Sequence, residues 1–225
     1  AKHIRRLTNR DAQPEDRQAS ADWLADQGTP QSIMGLLSRF DMQLDHDIKN
    51  MNEREYVSGL VRRLGPASVE PLKAWLKQCK ALVAPLELLV ELAGDRAAIE
   101  ACFDVLRREL EHGNDFRPEK KKAVLIWLAE HPAEDLIVHV TPFLDDFDEG
   151  VRYAAAEAIA AANTEAGRVP LLKALANPKE ESNRFRGRIC DIFVQRRWSV
   201  EEHAEELPSL LPSAYAVKGD RVVRA

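Results

Sequence analysis

Apolar residues recur along this chain in threes and fours, at the spacing of one helix face, and short turn signals close each run. The clearest run is Asp148-Glu149-Gly150-Val151-Arg152-Tyr153-Ala154-Ala155-Ala156-Glu157-Ala158-Ile159. It has an acidic start, a Val-Arg pair, and small residues leading to an aliphatic one. With Ile159 as an anchor, the same arrangement recurs about Leu24, Val61, Val90 and Leu128. Seven residues before the five anchors, in chain order, stand Arg17, Arg54, Val83, Lys121 and Arg152. Immediately before them stand Trp23, Leu60, Leu89, Trp127 and Ala158, all apolar and all expected in the core. Gly28, Gly65, Gly94 and Asn163 follow four residues after their anchors, where a left-handed helix stop suits glycine or asparagine.

A second pattern follows each stop: a small residue or proline, a large apolar residue, three variable positions, and another large apolar residue. Gly35-Leu36 to Phe40, Pro71-Leu72 to Leu76, Pro142-Phe143 to Phe147 and Pro170-Leu171 to Leu175 show it, and Ala101-Cys102 to Leu106 is a weaker copy. Such a pair lies on one helix face. Each unit is therefore two amphipathic helices, A then B, joined by a tight turn. A sixth unit, with helices over Ser182–Val194 and Val200–Leu207, is less regular. Lys2–Asn9 forms a capping helix before the first. Prolines 14, 30, 66, 118 and 132 fall at helix starts or in early turns, where a missing N–H is tolerated. The expected architecture is one repeat domain over residues 1–207 and a tail over 208–225, with a small hairpin about Lys218-Gly219-Asp220.

Here the residues carry a resemblance. The segment from Asp148 to Ile159 resembles the HEAT repeat signature, and the short period resembles the HEAT-like repeats associated with phycobilisome lyases. The resemblance implies an all-α, right-handed superhelical solenoid of five to six helical hairpins, with A helices convex and B helices concave. It also implies ladders between neighbouring repeats, made here by Asp148 and Arg152, with Arg17, Arg54 and Lys121 at the matching basic position. Val83 breaks that position in the third repeat. Scaffold binding is the default function that such a family implies. Enzymes of this shape also exist, removing alkylated DNA bases or attaching bilins.

Composition narrows the rest. The 225 residues are 45% hydrophobic and carry a net charge of −5. An acidic chain repels the phosphate backbone that supplies most nucleic-acid affinity, so nucleic acid is an unfavoured partner. No apolar run approaches the roughly 18 residues of a membrane span. The first residues lack the apolar stretch of a secretory signal, and Cys79, Cys102 and Cys190 form no CxxC pair, so reduced buried thiols and a cytoplasmic location are expected. The six histidines have no metal-ligand spacing, and no phosphate-binding or nucleophile motif occurs; no catalytic residue, cofactor or metal is expected. Asp41, Asp45, His46 and Asp47 are read as a solvated loop. Asp145, Asp146, Asp148 and Glu149 are read as helix-start acids that suit the positive end of the next helix.

The register also names surface positions. Two residues past the first apolar residue of each B pattern stand Ser38, Ala74, Asp104, Asp145 and Lys173, mostly polar and expected to face water. The next position holds Arg39, Trp75, Val105, Asp146 and Ala174. An exposed Trp75 beside Arg39, Lys73, Lys77 and Arg107 has the composition of a binding hot spot for a protein partner. The other reading packs Trp75 between neighbouring B helices. Asp104 completes the set, because Trp75, Asp104 and Arg107 are also the nearest match to a base-removing site. A subunit of a larger assembly is a further reading.

Overall fold

The computed structural model describes residues 1–112 and 118–225, and its contacts divide into two compact units, Ala1–Val105 and Leu106–Ala225. The first holds α1 (Lys2–Leu7), α2 (Pro14–Gln27), α3 (Pro30–Leu37), α4 (Asp47–Leu64), α5 (Val69–Leu76), α6 (Val83–Ala93) and the start of α7 (Asp95–His112). The pairs α2/α3, α4/α5 and α6/α7 are the first three A/B hairpins. Within the unit, α4 packs on α2 and on α6, while α5 packs on α3 and α6, and α1 lies on α2 and α3.

The second unit holds the end of α7, then α8 (Glu119–Glu130), α9 (Leu136–Val140), α10 (Glu149–Ala161), α11 (Arg168–Leu175) and α12 (Asn183–Arg196). A hairpin of β1 (Tyr215–Lys218) and β2 (Arg221–Arg224) follows. Here α10 packs on α8 and α12, α11 packs on α12, and β2 lies on α12. Among the described residues the fold is all-α apart from that hairpin, and within each unit the helices stack as hairpins on their neighbours, as helical repeats do.

Local chemistry sets the helix ends. Thr29, Asp148 and Ser182 accept hydrogen bonds from the backbone N–H groups of Ser32, Val151 and Phe185, satisfying first-turn donors of α3, α10 and α12. Gly28, Gly65, Gly94 and Asn163 all have positive φ, as their register position requires. Arg197 shares that conformation (φ 54°) and lies four residues after the buried Phe193, while the buried Arg186 lies seven before it. The register thus runs into the sixth repeat. In the fourth, Pro132 holds the stop position; its ring forbids positive φ, and α8 ends at Glu130 with His131 as its C-cap.

The anchors Leu24, Val61, Leu128 and Ile159 are buried. In α6 the inward face has turned: Leu86, Leu88 and Leu89 are buried, Val90 is half-buried and Val83 is 61% exposed. Three expectations need correction. Trp23 is 44% exposed and stacks on His3 with ring centroids 4.2 Å apart, because the six-residue α1 offers an imidazole there rather than an apolar face. Phe147 is exposed, since the 3-10 turn Thr141–Asp145 ends before it. No α-helix forms over Val200–Leu207; two 3-10 turns stand there, Glu201–His203 and Leu207–Ser209, for the segment buries only Val200 and Leu207 and offers no continuous apolar face.

The tail hairpin turns at Gly219-Asp220, with Gly219 at φ 62°. It is held to α12 by Asp191, whose Oδ1 accepts from the Tyr215 hydroxyl and from Arg224 Nη2, each at 2.8 Å. Asp191 stands two residues before Phe193, as Glu157 stands two before Ile159. Glu157 accepts from Arg188 of the following repeat. The hairpin therefore takes up contacts that a further A helix would make.

Candidate functional site

The basic position of the A helices points inward. Arg17 is 3% exposed and Lys121 2%. Arg17 grips Glu53 through Nε and Nη2 (3.0 and 2.6 Å), while its Nη1 donates to the Ala12 carbonyl in the loop before its own helix. Arg152 repeats the arrangement: Nε and Nη2 meet Glu180 (2.8 and 2.9 Å), and Nη1 meets the Asp146 carbonyl of the preceding loop. Lys121 meets Asp146 at 2.6 Å. Each cation thus clamps a carboxylate of the following repeat.

Asp148 is not the acidic rung. It caps α10 and lies 3.7 Å from Lys122. The rungs are Asp146 and Glu180, which precede Arg152 and Arg186 by six residues each. Asp146, read from the sequence as a helix-start acid, is thus a rung of the ladder. That six-residue offset was the available signal, hidden because one example lies in the acidic run before α10. Glu53 obeys a different offset, directly before Arg54, and nothing in the pattern marks it.

Arg39 does not belong to an exposed basic patch. It is 0% exposed and donates to Glu53 Oε2 (3.0 Å), the Met42 carbonyl (2.9 Å) and Asn50 Oδ1 (3.0 Å). Burial opposes the Glu53 charge, but hydrogen bonds from Arg17 and Arg39 overcome it and hold its carboxyl below the usual glutamate range. Burial of Arg39 lowers that group's own pKa against the pull of Glu53.

Trp75 is buried as well, at 9% exposure, and its indole N–H has no acceptor. The reason is shared by Arg39 and Val105: this B-helix position falls three residues after a buried apolar one and one before another, so it shares their inward face. The position before it does face solvent, with Ala74, Asp145 and Lys173 exposed. Lys73 pairs with Glu70 (2.9 Å) and Lys77 with Asp104 (3.1 Å); Arg107 is exposed and belongs to the second unit. The patch expected from the register thus keeps Lys73, Lys77 and Asp104 as paired surface charges and loses Arg39 and an exposed Trp75.

What Trp75 does border is a groove. An open cleft of about 860 Å³ runs between α3 and α5, walled by Ile4, Met34, Pro66, Pro71, Ala74 and Trp75. Glu70 is the one charged residue among the described residues that line it. Gly35 lies in the same wall because Ile4 packs on it: a Cβ there would come within 2.5 Å of Ile4.

In the second unit, α10 and α11 form the hairpin with the most regular register. Residues 151–177 match the family model described as PBS lyase HEAT-like repeat. The match covers one hairpin and supports a HEAT-like repeat family. Parts of this pattern, a left-handed stop or a clamped cation, recur in each of the other hairpins. No curated protein matches the chain.

Chemistry elsewhere is sparse. Cys79, Cys102 and Cys190 are buried and outside any disulfide, and burial pushes Cys190 up to about 12. Among the described residues, no helix is long and apolar enough to cross a membrane, and no three acidic, histidine or cysteine side chains gather as metal ligands.

Proposed function

We propose that this protein is a non-catalytic binding scaffold that takes a segment of a protein partner along the groove between α3 and α5. One observation carries the reading: the HEAT-like hairpins leave an open, largely uncharged cleft of about 860 Å³ between two B helices. Folded proteins rarely leave contiguous apolar surface uncovered without a use for it. A stack of hairpins makes extended open surface rather than a closed, water-free site, which suits recognition better than turnover. An apolar partner side chain would seat against Met34 and Pro71, with Ala74 on the open side.

The base-removing alternative draws no support from its candidate residues. Trp75 is buried, and Asp104 is engaged by Lys77. The bilin-attaching alternative is favoured by no residue on this surface.

The test compares wild type with a Met34→Glu/Ala74→Glu variant as baits for quantitative affinity purification. Equal Tm of the two baits is the control. The proposal expects at least one partner depleted about tenfold or more from the variant, since one or two lost apolar contacts are worth ~1–3 kcal/mol each. Indistinguishable partner lists from two equally stable baits would overturn it.

A further inference from the structure

The ladder has a gap in the first unit, and the gap has a cavity beside it. Arg54 holds the basic position of the second repeat. Its Nη2 donates to the Phe40 carbonyl (2.7 Å), as Arg17 and Arg152 reach back to their own loops. The Nε of Arg17 and of Arg152 then meets a carboxylate, whereas Nε of Arg54 is buried and has no acceptor. The following repeat explains why. The acid that precedes Arg152 and Arg186 by six residues is replaced, six before Val83, by Lys77, and Lys77 turns to Asp104. The basic position itself is Val83. The third repeat thus supplies neither an acid nor a cation to this rung.

A cavity of about 370 Å³ between α4 and α6 is bordered by Arg54, Asn50, Ser58, Met51, Ala84 and Leu88. Asn50 and Ser58 are each 5% exposed. Asn50 already commits its Oδ1 to Arg39, which leaves its amide nitrogen as a donor. A buried guanidinium N–H, an amide donor and an apolar wall together form a site for a carboxylate. Asp47 and Glu87 also border the cavity and carry no ion pair among the described residues, while Glu55 is held by Arg62. These two acids disfavour a bare anion and favour a carboxylate carried next to a cation.

We propose that the ladder gap at Arg54 binds an acidic side chain of a partner protein, presented beside a lysine or arginine, which completes the missing rung from outside. The exposed Ile48, Met51 and Val83 lie on the same two helices and offer apolar contact to the flanking residues. The site is separate from the groove between α3 and α5 and does not depend on it.

The test is a titration of the full chain, with 15N-labelled arginine side chains, by N-acetyl-Glu-Lys-amide, with N-acetyl-Gln-Lys-amide at equal ionic strength as control. The expected result is a saturable shift of one arginine Nε–H resonance with the Glu-Lys probe alone, lost in Arg54→Lys and in Ala84→Trp, which fills the cavity from the opposite wall. A Met34→Glu variant in the groove keeps the response, so the two sites fail or stand separately. Should Arg54→Lys fold poorly, Ala84→Trp alone decides. No saturable shift, an equal shift with the Gln-Lys probe, or an undiminished Glu-Lys response in Ala84→Trp would each overturn the proposal.

Discussion

At the scale of single residues, Glu53 does the most. One carboxylate, 20% exposed, holds two guanidiniums that are nearly inaccessible to water. Removing it strands two buried cations, and breaking a buried pair costs about 3–5 kcal/mol. Glu53→Gln should therefore lower unfolding free energy by about 3 kcal/mol in denaturant titrations. The pH dependence has a definite sign. Glu53 has a lower pKa folded than unfolded, so the unfolded chain binds more protons between the two values. Its contribution is full above the ordinary glutamate range and fades as pH falls through the folded pKa. Stability should fall on acidification below that range, and Glu53→Gln should flatten the fall; an unchanged slope would remove Glu53 from this role. Little of this was legible in the sequence. Arg17 announced itself by register, but Glu53 sits beside a second ladder arginine, where neither spacing nor composition sets it apart. Arg39 misled for a related reason: an arginine on an open helix face normally reaches water, and only the folded partners Glu53, Asn50 and Met42 explain its burial.

At the scale of the element, the helix stops carry the clearest message. Positive φ recurs four residues after the anchor at Gly28, Gly65, Gly94, Asn163 and Arg197. Glycine and asparagine there were readable in advance. Arg197 was not, because arginine is no signal for a left-handed residue, and so the sixth repeat looked irregular. An arginine held at φ 54° pays for its Cβ, at roughly 1–2 kcal/mol. Arg197→Gly should raise stability by about 1 kcal/mol, and Gly28→Ala should lower it by a similar amount. Thermal or chemical unfolding of the two variants reads both signs; a destabilised Arg197→Gly would mean that the residue makes interactions worth more than its backbone strain. The A-helix faces were legible wherever burial follows the repeat. They failed in α6, where Leu88 turned inward and Val83 outward, because the ladder cation that fixes the rotation of the other A helices is missing there.

At the scale of the whole molecule, the repeat architecture came through from periodicity, since each hairpin leaves an apolar face that only its neighbours cover. The location of open surface did not. The register marked which B-helix position faces water, but a cleft needs the distance between α3 and α5, and no periodicity encodes distance. The candidate site accordingly moved from an exposed tryptophan in a basic patch to a nearly uncharged groove with that tryptophan in its wall. Binding there should depend little on salt, because charge-driven association weakens on screening whereas apolar burial does not. The most direct measurement places a photo-crosslinking amino acid at position 74, in the open wall of the groove, and at position 173, the equivalent exposed place in α11. A partner joined efficiently at position 74, little at 173, and lost from the former in Met34→Glu is the predicted result. Equal crosslinking at both positions, or crosslinking at 74 that Met34→Glu leaves unchanged, would contradict a scaffold that binds through this groove.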